Sequence, residues 1–68
     1  MSFEKFCSAV TDFCAARGLD VAFDPEAEIE NGKHVARTSN GVTFVGNSYS
    51  RVIYGGFRNH QWMPVMTV

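Results

Sequence analysis

The sequence predicts an α+β domain, in which an N-terminal amphipathic helix packs on a four- to five-stranded antiparallel β-sheet of meander order. Three observations predict this class. Apolar residues recur at helical spacing up to Cys14, the apolar period changes to two after Gly18, and turn signals divide the remainder into short strands. With 68 residues, the chain from 1 to 68 is expected to form a single small domain.

The first predicted element is a helix that begins at Phe3. Its apolar face follows the i, i+3, i+4, i+7 spacing and comprises Phe3, Phe6, Cys7, Val10, Phe13 and Cys14. Ser2 is placed to cap the first turn, and Glu4 lies where the helix dipole favours an acid. Gly18 is placed to end the helix in the left-handed conformation.

The next element is predicted to be a strand, which a connector joins to a hairpin turn. Residues 19–24 alternate apolar and polar side chains up to a proline, which is typical of a strand with one buried face. An acidic connector follows this strand. Asn31-Gly32 is then a type I′ hairpin signal, and it would place Glu30 opposite Lys33 as an opposite-charge pair.

The remainder of the chain is predicted to continue as a meander. Asn40-Gly41 repeats the hairpin signal between strands 33–39 and 42–45, which would set Thr38 opposite Thr43. Two further turns, at 46–48 and 58–59, delimit strands at 49–57 and 60–67.

The predicted register gives the last strand two marked positions. Trp62 would lie across from Gly55, so that its ring fills the space above a residue without a side chain. Gly55-Gly56 is alternatively a bulge. Pro64 cannot donate a ladder hydrogen bond, which makes this strand an edge strand or interrupts it.

Both faces of the predicted sheet are apolar, although there is one helix to cover them. One face collects Val42, Phe44, Ile53, Phe57, Trp62 and Met66, and the other collects Val45, Val52, Tyr54, Met63 and Val65. The second face is therefore either enclosed by a strongly curved sheet that wraps around the helix, or available to a partner.

Charge is distributed unevenly along the chain. All seven acidic residues lie among the first thirty, where two basic residues leave a net charge of −5. The remaining residues contain no acid and four basic residues, Lys33, Arg37, Arg51 and Arg58, for a net charge of +4. Such complementary parts favour association with a charged protein surface, or head-to-tail association of two copies.

No catalytic or metal centre is predicted, so we expect neither enzymatic activity nor a cofactor. Cys7 and Cys14 face the core side of the helix, where burial makes a thiol a poor nucleophile. Their Cα atoms would be about 10 Å apart, too far for a disulfide. The four candidate ligands Cys7, Cys14, His34 and His60 match no paired metal-ligand spacing.

The sequence also predicts the cellular location of the protein. Two reduced cysteines are typical of a cytoplasmic protein. The N-terminal residues carry acids and resemble no secretory signal, and no run of apolar residues approaches the ~18 needed to cross a membrane.

The C-terminal half combines aromatic and basic residues, the types enriched at binding hot spots. The expected partner-binding residues are Tyr49, Arg51, Tyr54, Phe57, Arg58, His60 and Trp62. They favour a non-enzymatic interaction protein that binds a protein partner or a second copy of itself, as a homodimer. Its small size without a catalytic signature is typical of phage and mobile-element accessory or inhibitor proteins. The alternative is a single-stranded nucleic-acid-binding protein, in which bases stack on the rings; no small-molecule substrate is indicated.

Overall fold

The computed structural model describes residues 1–24, 32–57 and 62–68, and it confirms the α+β class and the meander. Helix α1 spans Phe3–Ala15. The five strands of the described residues are β1 (Val21–Asp24), β2 (Lys33–Thr38), β3 (Val42–Asn47), β4 (Val52–Phe57) and β5 (Met63–Thr67). They form one antiparallel sheet of order β1-β2-β3-β4-β5, in which sequence neighbours are also spatial neighbours.

Both ends of α1 are where local chemistry places them. The Ser2 side chain accepts a hydrogen bond from the Lys5 backbone N–H at 3.1 Å, which satisfies one of the donors that a helix start leaves unpaired. At the other end, Gly18 adopts a φ of 68°, and the Leu19 N–H donates to the Cys14 carbonyl at 2.9 Å. The predicted cap and the predicted stop are both confirmed.

The core lies between α1 and one face of the sheet. Its fully buried apolar side chains are Phe6, Val10 and Cys14 from the helix and Ala36, Phe44 and Ile53 from the sheet. Phe13 and Phe44 meet edge to face with their ring centroids 5.6 Å apart, a favourable aromatic geometry. The helical spacing of the apolar residues therefore does predict the buried face of α1.

The turn between β2 and β3 differs from the predicted hairpin by one residue. Arg37, not Thr38, pairs with Thr43, and the Val42 N–H donates to the Thr38 side-chain oxygen at 3.1 Å. Asn40 has no positive φ, which a type I′ turn requires, whereas Gly41 has a φ of 92°. The connection is thus a three-residue loop with one left-handed glycine, and the predicted Thr38–Thr43 pair is wrong.

The pairing of β4 with β5 is also shifted by one residue. Gly55 pairs with Met63, not with Trp62, and the ring that lies over Gly55 belongs to Phe44. The ladder is irregular between Ile53 and Tyr54, where one extra residue of β5 is accommodated. Because side chains alternate between faces, this shift moves the Trp62 side chain away from the face that Phe44 occupies.

Several strand boundaries also differ from the predicted ones. β3 continues through Asn47, so the next turn begins two residues later than predicted, and β4 begins at Val52 instead of residue 49. Pro64 lies in β5, which is an edge strand as predicted. The predicted Asn31-Gly32 hairpin with its Glu30–Lys33 pair, and the turn at 58–59, involve residues outside the described part.

The described sheet is open, since β1 and β5 lie at opposite edges and do not pair with each other. Burial alternates along β2, where His34, Ala36 and Thr38 are buried against the helix side and the residues between them are not. Within the described residues, no helix or strand lies over the other face. The second face is therefore uncovered in the described part of the chain.

Candidate protein-interaction surface

A row of three side chains crosses the uncovered face of the sheet. Val35 of β2 pairs with Val45 of β3, which in turn pairs with Tyr54 of β4. Cross-strand partners share a face and neighbouring strands are about 5 Å apart, so the row is about 10 Å long. The two valines are half-buried, and Tyr54 keeps 42% of its surface exposed. The row forms an apolar floor that ends in an aromatic ring.

Two cations flank this row at its β2 end. Lys33 and Arg37 lie two residues to either side of Val35 on the same strand, so each is on the same face and about 7 Å away along the strand. Both side chains are exposed. The apolar floor is therefore bordered by these two cations and, at its β1 end, by the acidic position Asp24, which pairs with Val35.

Trp62 forms the aromatic wall of this surface. It directly precedes β5, is 44% exposed, and lines the same groove as Tyr54 and Val45. Together these residues line a groove of about 500 Å³, which we call the open groove; its lining residues are Lys33, Val35, Arg37, Thr43, Val45, Tyr54 and Trp62. No acidic residue is among these lining residues. Asp20 lies outside the open groove, in a neighbouring depression next to Arg37.

The structure brings two of the seven expected partner-binding residues together, namely Tyr54 and Trp62. Tyr49 lies in the turn between β3 and β4 and is 92% exposed. Phe57 ends β4 opposite Val42 and is half exposed. Arg58 and His60 lie outside the described residues.

Arg51 is separated from the aromatic pair with which the sequence grouped it. Its side chain lines a depression with Met1, Lys5 and Val68, beside the start of α1. The predicted rim of aromatic and arginine side chains is therefore not a single surface in the described residues. Its aromatic part belongs to the open groove, where the flanking cations come from β2.

Sequence reasoning missed five of the seven groove residues. They are Lys33, Val35, Arg37, Thr43 and Val45. The alternation in β2, which places a valine between two cations on one face, was a sufficient signal for three of them. Val45 was predicted on the same face as Tyr54, but the predicted β2–β3 register, one residue out, set the three β2 side chains on the opposite face.

On the helix side of the sheet, His34 is fully buried and packs against two phenylalanine rings. Its ring centroid lies 5.4 Å from that of Phe3 and 5.4 Å from that of Phe6. Its Nε2 lies 3.2 Å from the Met1 carbonyl oxygen, and because a carbonyl only accepts, Nε2 carries the hydrogen. Nδ1 has no hydrogen-bond partner among the described residues. His34 thus packs as a core side chain.

The Cys14 thiol is a poor candidate nucleophile. Burial raises its pKa above the usual value, and the positive charge of nearby Arg17 opposes that effect only in part. Less thiolate is then present at neutral pH than for an exposed cysteine. Among the described residues, no three histidine, cysteine or acidic side chains lie close enough together to hold a metal ion.

We expect Cys14 to resist alkylation by iodoacetamide in the folded protein and to react once the chain is unfolded in urea. Cys7, which is half-buried, is expected to react faster in the folded state. Mass spectrometry of timed digests measures each rate, and Cys14→Ser provides the matched control for assigning the adducts. Equal native rates for the two thiols would contradict the buried position of Cys14.

Comparison with protein-family models, curated proteins and solved structures gives no match for this chain. In the described part of the chain, α1 is too short to cross a membrane, and no helix there is both long and apolar enough to do so.

Proposed function

We propose that this chain is a non-enzymatic interaction protein that binds a partner protein through the open groove. The observation that supports this most directly is the exposure of Tyr54 and Trp62 next to an apolar floor, Val35 and Val45, on a face without a covering element in the described residues. Exposed apolar patches of this kind mark interaction sites. Tyrosine, tryptophan and arginine are also the residues that contribute most binding energy at protein interfaces.

We also propose that the protein acts in the cytoplasm. Cys7 and Cys14 are both thiols, and Cys14 is part of the packed core. A reducing compartment keeps such thiols intact, whereas small secreted domains usually rely on disulfides.

Single-stranded nucleic acid is the second candidate ligand, favoured by one specific observation. Lys33 and Arg37 line the same groove as Tyr54 and Trp62, so the cations would pair with phosphates while the bases stack on the rings. The floor of the groove, however, is made of valines, which suit apolar side chains better than bases. With two groove cations, the salt dependence of oligonucleotide binding would correspond to only about two neutralised phosphates.

Replacing both groove aromatics tests the proposed function. Tyr54→Ala combined with Trp62→Ala is expected to weaken binding of the partner by at least about thirtyfold, because the loss of a single hot-spot ring already costs roughly 2 kcal/mol. The wild-type chain, tagged at its C-terminus, captures the partner from the native host. Titration calorimetry with the purified partner then gives the two dissociation constants.

Tyr49→Ala is the matched control for this double variant, because it removes an exposed aromatic ring that lies outside the open groove. It is expected to bind the partner as the wild type does. Circular dichroism establishes that all variants remain folded. Unchanged binding by the double variant, or its unfolding, would refute binding through these two rings.

A further inference from the structure

The uncovered face of the sheet is large enough to support a dimer. Its five strands lie about 4.8 Å apart, and the three central ones have six residues of about 3.3 Å each, so the face measures roughly 24 Å by 20 Å. Two copies packed face to face would bury about 500 Å² each, or about 1,000 Å² in total, which is the lower limit for a specific interface. The area therefore suits a dimer that dissociates on dilution.

The order of side chains across this face makes it complementary to itself. Val35, Val45 and Tyr54 form the central row, and Val45 lies on the middle strand, β3. A twofold axis parallel to β3, between two facing sheets, places β2 of one copy over β4 of the other. Val45 then meets Val45 of the second copy, and Val35 meets Tyr54 on each side of the axis. Apolar side chains thus oppose apolar side chains along the whole row.

The same axis keeps like charges apart. Lys33 and Arg37 lie on β2, and the facing strand of the second copy, β4 (Val52–Phe57), contains no charged residue. The acidic position Asp24 on β1 faces β5 (Met63–Thr67), which is also uncharged. An axis perpendicular to the strands would instead stack β2 on β2 and set cations against cations. Since each chain has a formal net charge of only −1, long-range repulsion between copies is small.

A second sheet is also a suitable cover for this face. The strands of each copy pair within their own sheet, so a face-to-face contact brings together side chains and leaves the paired backbone groups undisturbed. Two sheets of this kind pack about 10 Å apart, with their strand directions within about 30°. A second copy supplies such a sheet with a matching apolar row.

We propose that a second copy of this chain covers the open groove when the partner protein is absent. The two sheets form a symmetric sandwich, in which the twofold axis passes beside Val45 parallel to β3. The partner and the second copy then compete for Tyr54 and Trp62, so that self-association regulates access to the groove. This inference concerns the regulation of the proposed interaction site and rests on the proposed function.

Sedimentation equilibrium of the purified wild-type chain tests for the dimer. We expect a reversible monomer–dimer equilibrium with a dissociation constant of roughly 1–100 μM, as is typical of an interface at the small end of the range. Trp62 is the sole tryptophan of the chain, lines the groove and is 44% exposed. Its fluorescence emission is therefore expected to shift to shorter wavelength as the protein concentration rises through the same range.

Opposite charges at Val45 test the position of the axis, because this residue meets its own counterpart. Val45→Glu and Val45→Lys are each expected to be monomeric, since like charges would meet in an apolar centre. An equimolar mixture of the two is expected to dimerise at least about tenfold more tightly than either variant alone, because unlike charges then meet. Circular dichroism establishes that the variants are folded.

Tyr49→Glu and Tyr49→Lys are the matched controls, since Tyr49 is 92% exposed and lies outside the groove. Each is expected to dimerise as the wild type does. If the Val45 variants unfold, Tyr54→Ala takes their place in the measurement. The Tyr54 side chain is 42% exposed, and its truncation is expected to weaken the dimer at least about tenfold.

Three results would overturn the inference. The first is a wild-type chain that stays monomeric at the highest concentration, and a thymidine oligonucleotide that shifts the Trp62 emission of this monomer would assign the groove to nucleic acid. The second is a mixture of the Val45 variants that dimerises no better than either alone, or a Tyr54→Ala variant that dimerises normally. The third is a dimer that the Tyr49 variants dissociate equally, which would place the contact elsewhere.

The outcomes also separate this inference from the proposed function. If the wild-type chain is monomeric while the Tyr54→Ala and Trp62→Ala variant loses the partner, the dimer is refuted and the interaction surface stands. If the dimer forms but the partner binds it without dissociating it, the partner lies elsewhere, which refutes both the proposed function and the competition. The expected result is that added partner converts the dimer into a complex with one copy of this chain.

Discussion

Phe44→Ala is expected to lower the free energy of unfolding by about 3–5 kcal/mol, most of the stability of a domain this small. The Phe44 side chain is 1% exposed and lies at the centre of the layer between α1 and the sheet. Its ring contacts Phe13 edge to face and occupies the space over Gly55. Truncation would leave a cavity that the rigid sheet cannot close.

Urea titration followed by circular dichroism measures this loss. Phe57→Ala is the matched control, since it removes the same side chain from a position that is half exposed, and we expect a clearly smaller loss. Phe44→Leu retains most of the apolar volume and is expected to fall between the two. Equal losses for Phe44→Ala and Phe57→Ala would show that the ring of Phe44 is not a central part of the core.

His34→Ala is expected to destabilise the fold by about 2–4 kcal/mol, whereas His34→Phe is expected to remain within about 1 kcal/mol of the wild type. The imidazole is fully buried, and it lies opposite Gly46, which has no side chain to fill the space that truncation would open. Phenylalanine keeps the ring volume. It loses the hydrogen bond to the Met1 carbonyl but also removes Nδ1, a buried polar atom with no partner among the described residues.

The same urea titrations compare the two histidine variants. A His34→Phe variant as unstable as His34→Ala would mean that the hydrogen bond to the Met1 carbonyl, and not packing against the rings of Phe3 and Phe6, is the main contribution of this side chain. Thr38→Val, which removes a buried hydroxyl at the end of the same strand, serves as the control for the loss of a buried hydrogen-bonding group.

The helix and its boundaries could be predicted because their causes are local. The Ser2 cap acts on a backbone N–H three residues away, and Gly18 ends α1 through its own backbone conformation. The apolar stripe that includes Phe6 and Val10 identifies the buried face, since the helical period is fixed by hydrogen bonds within one segment. None of these features depends on which other segment packs against the helix.

The pairing registers could not be obtained in the same way. Asn40-Gly41 is compatible with a two-residue turn or with the three-residue loop that the structure contains, and the two differ by one position in the Thr38 pairing. At β5, the irregularity beside Tyr54 and the shorter strand together place Trp62 on the opposite face from the predicted one. Each difference is one residue long, yet it reverses the direction of a side chain.

The sequence by itself determined the α+β class, the helix with both its ends, the meander order, and a surplus of apolar side chains over what one helix can cover. Only the tertiary structure decided which residues share the uncovered face, and so joined Tyr54 and Trp62 to Lys33 and Arg37 while separating them from Arg51. The physical reason is that helical periodicity is set within a segment, whereas a strand's exposed face depends on its register with neighbouring strands.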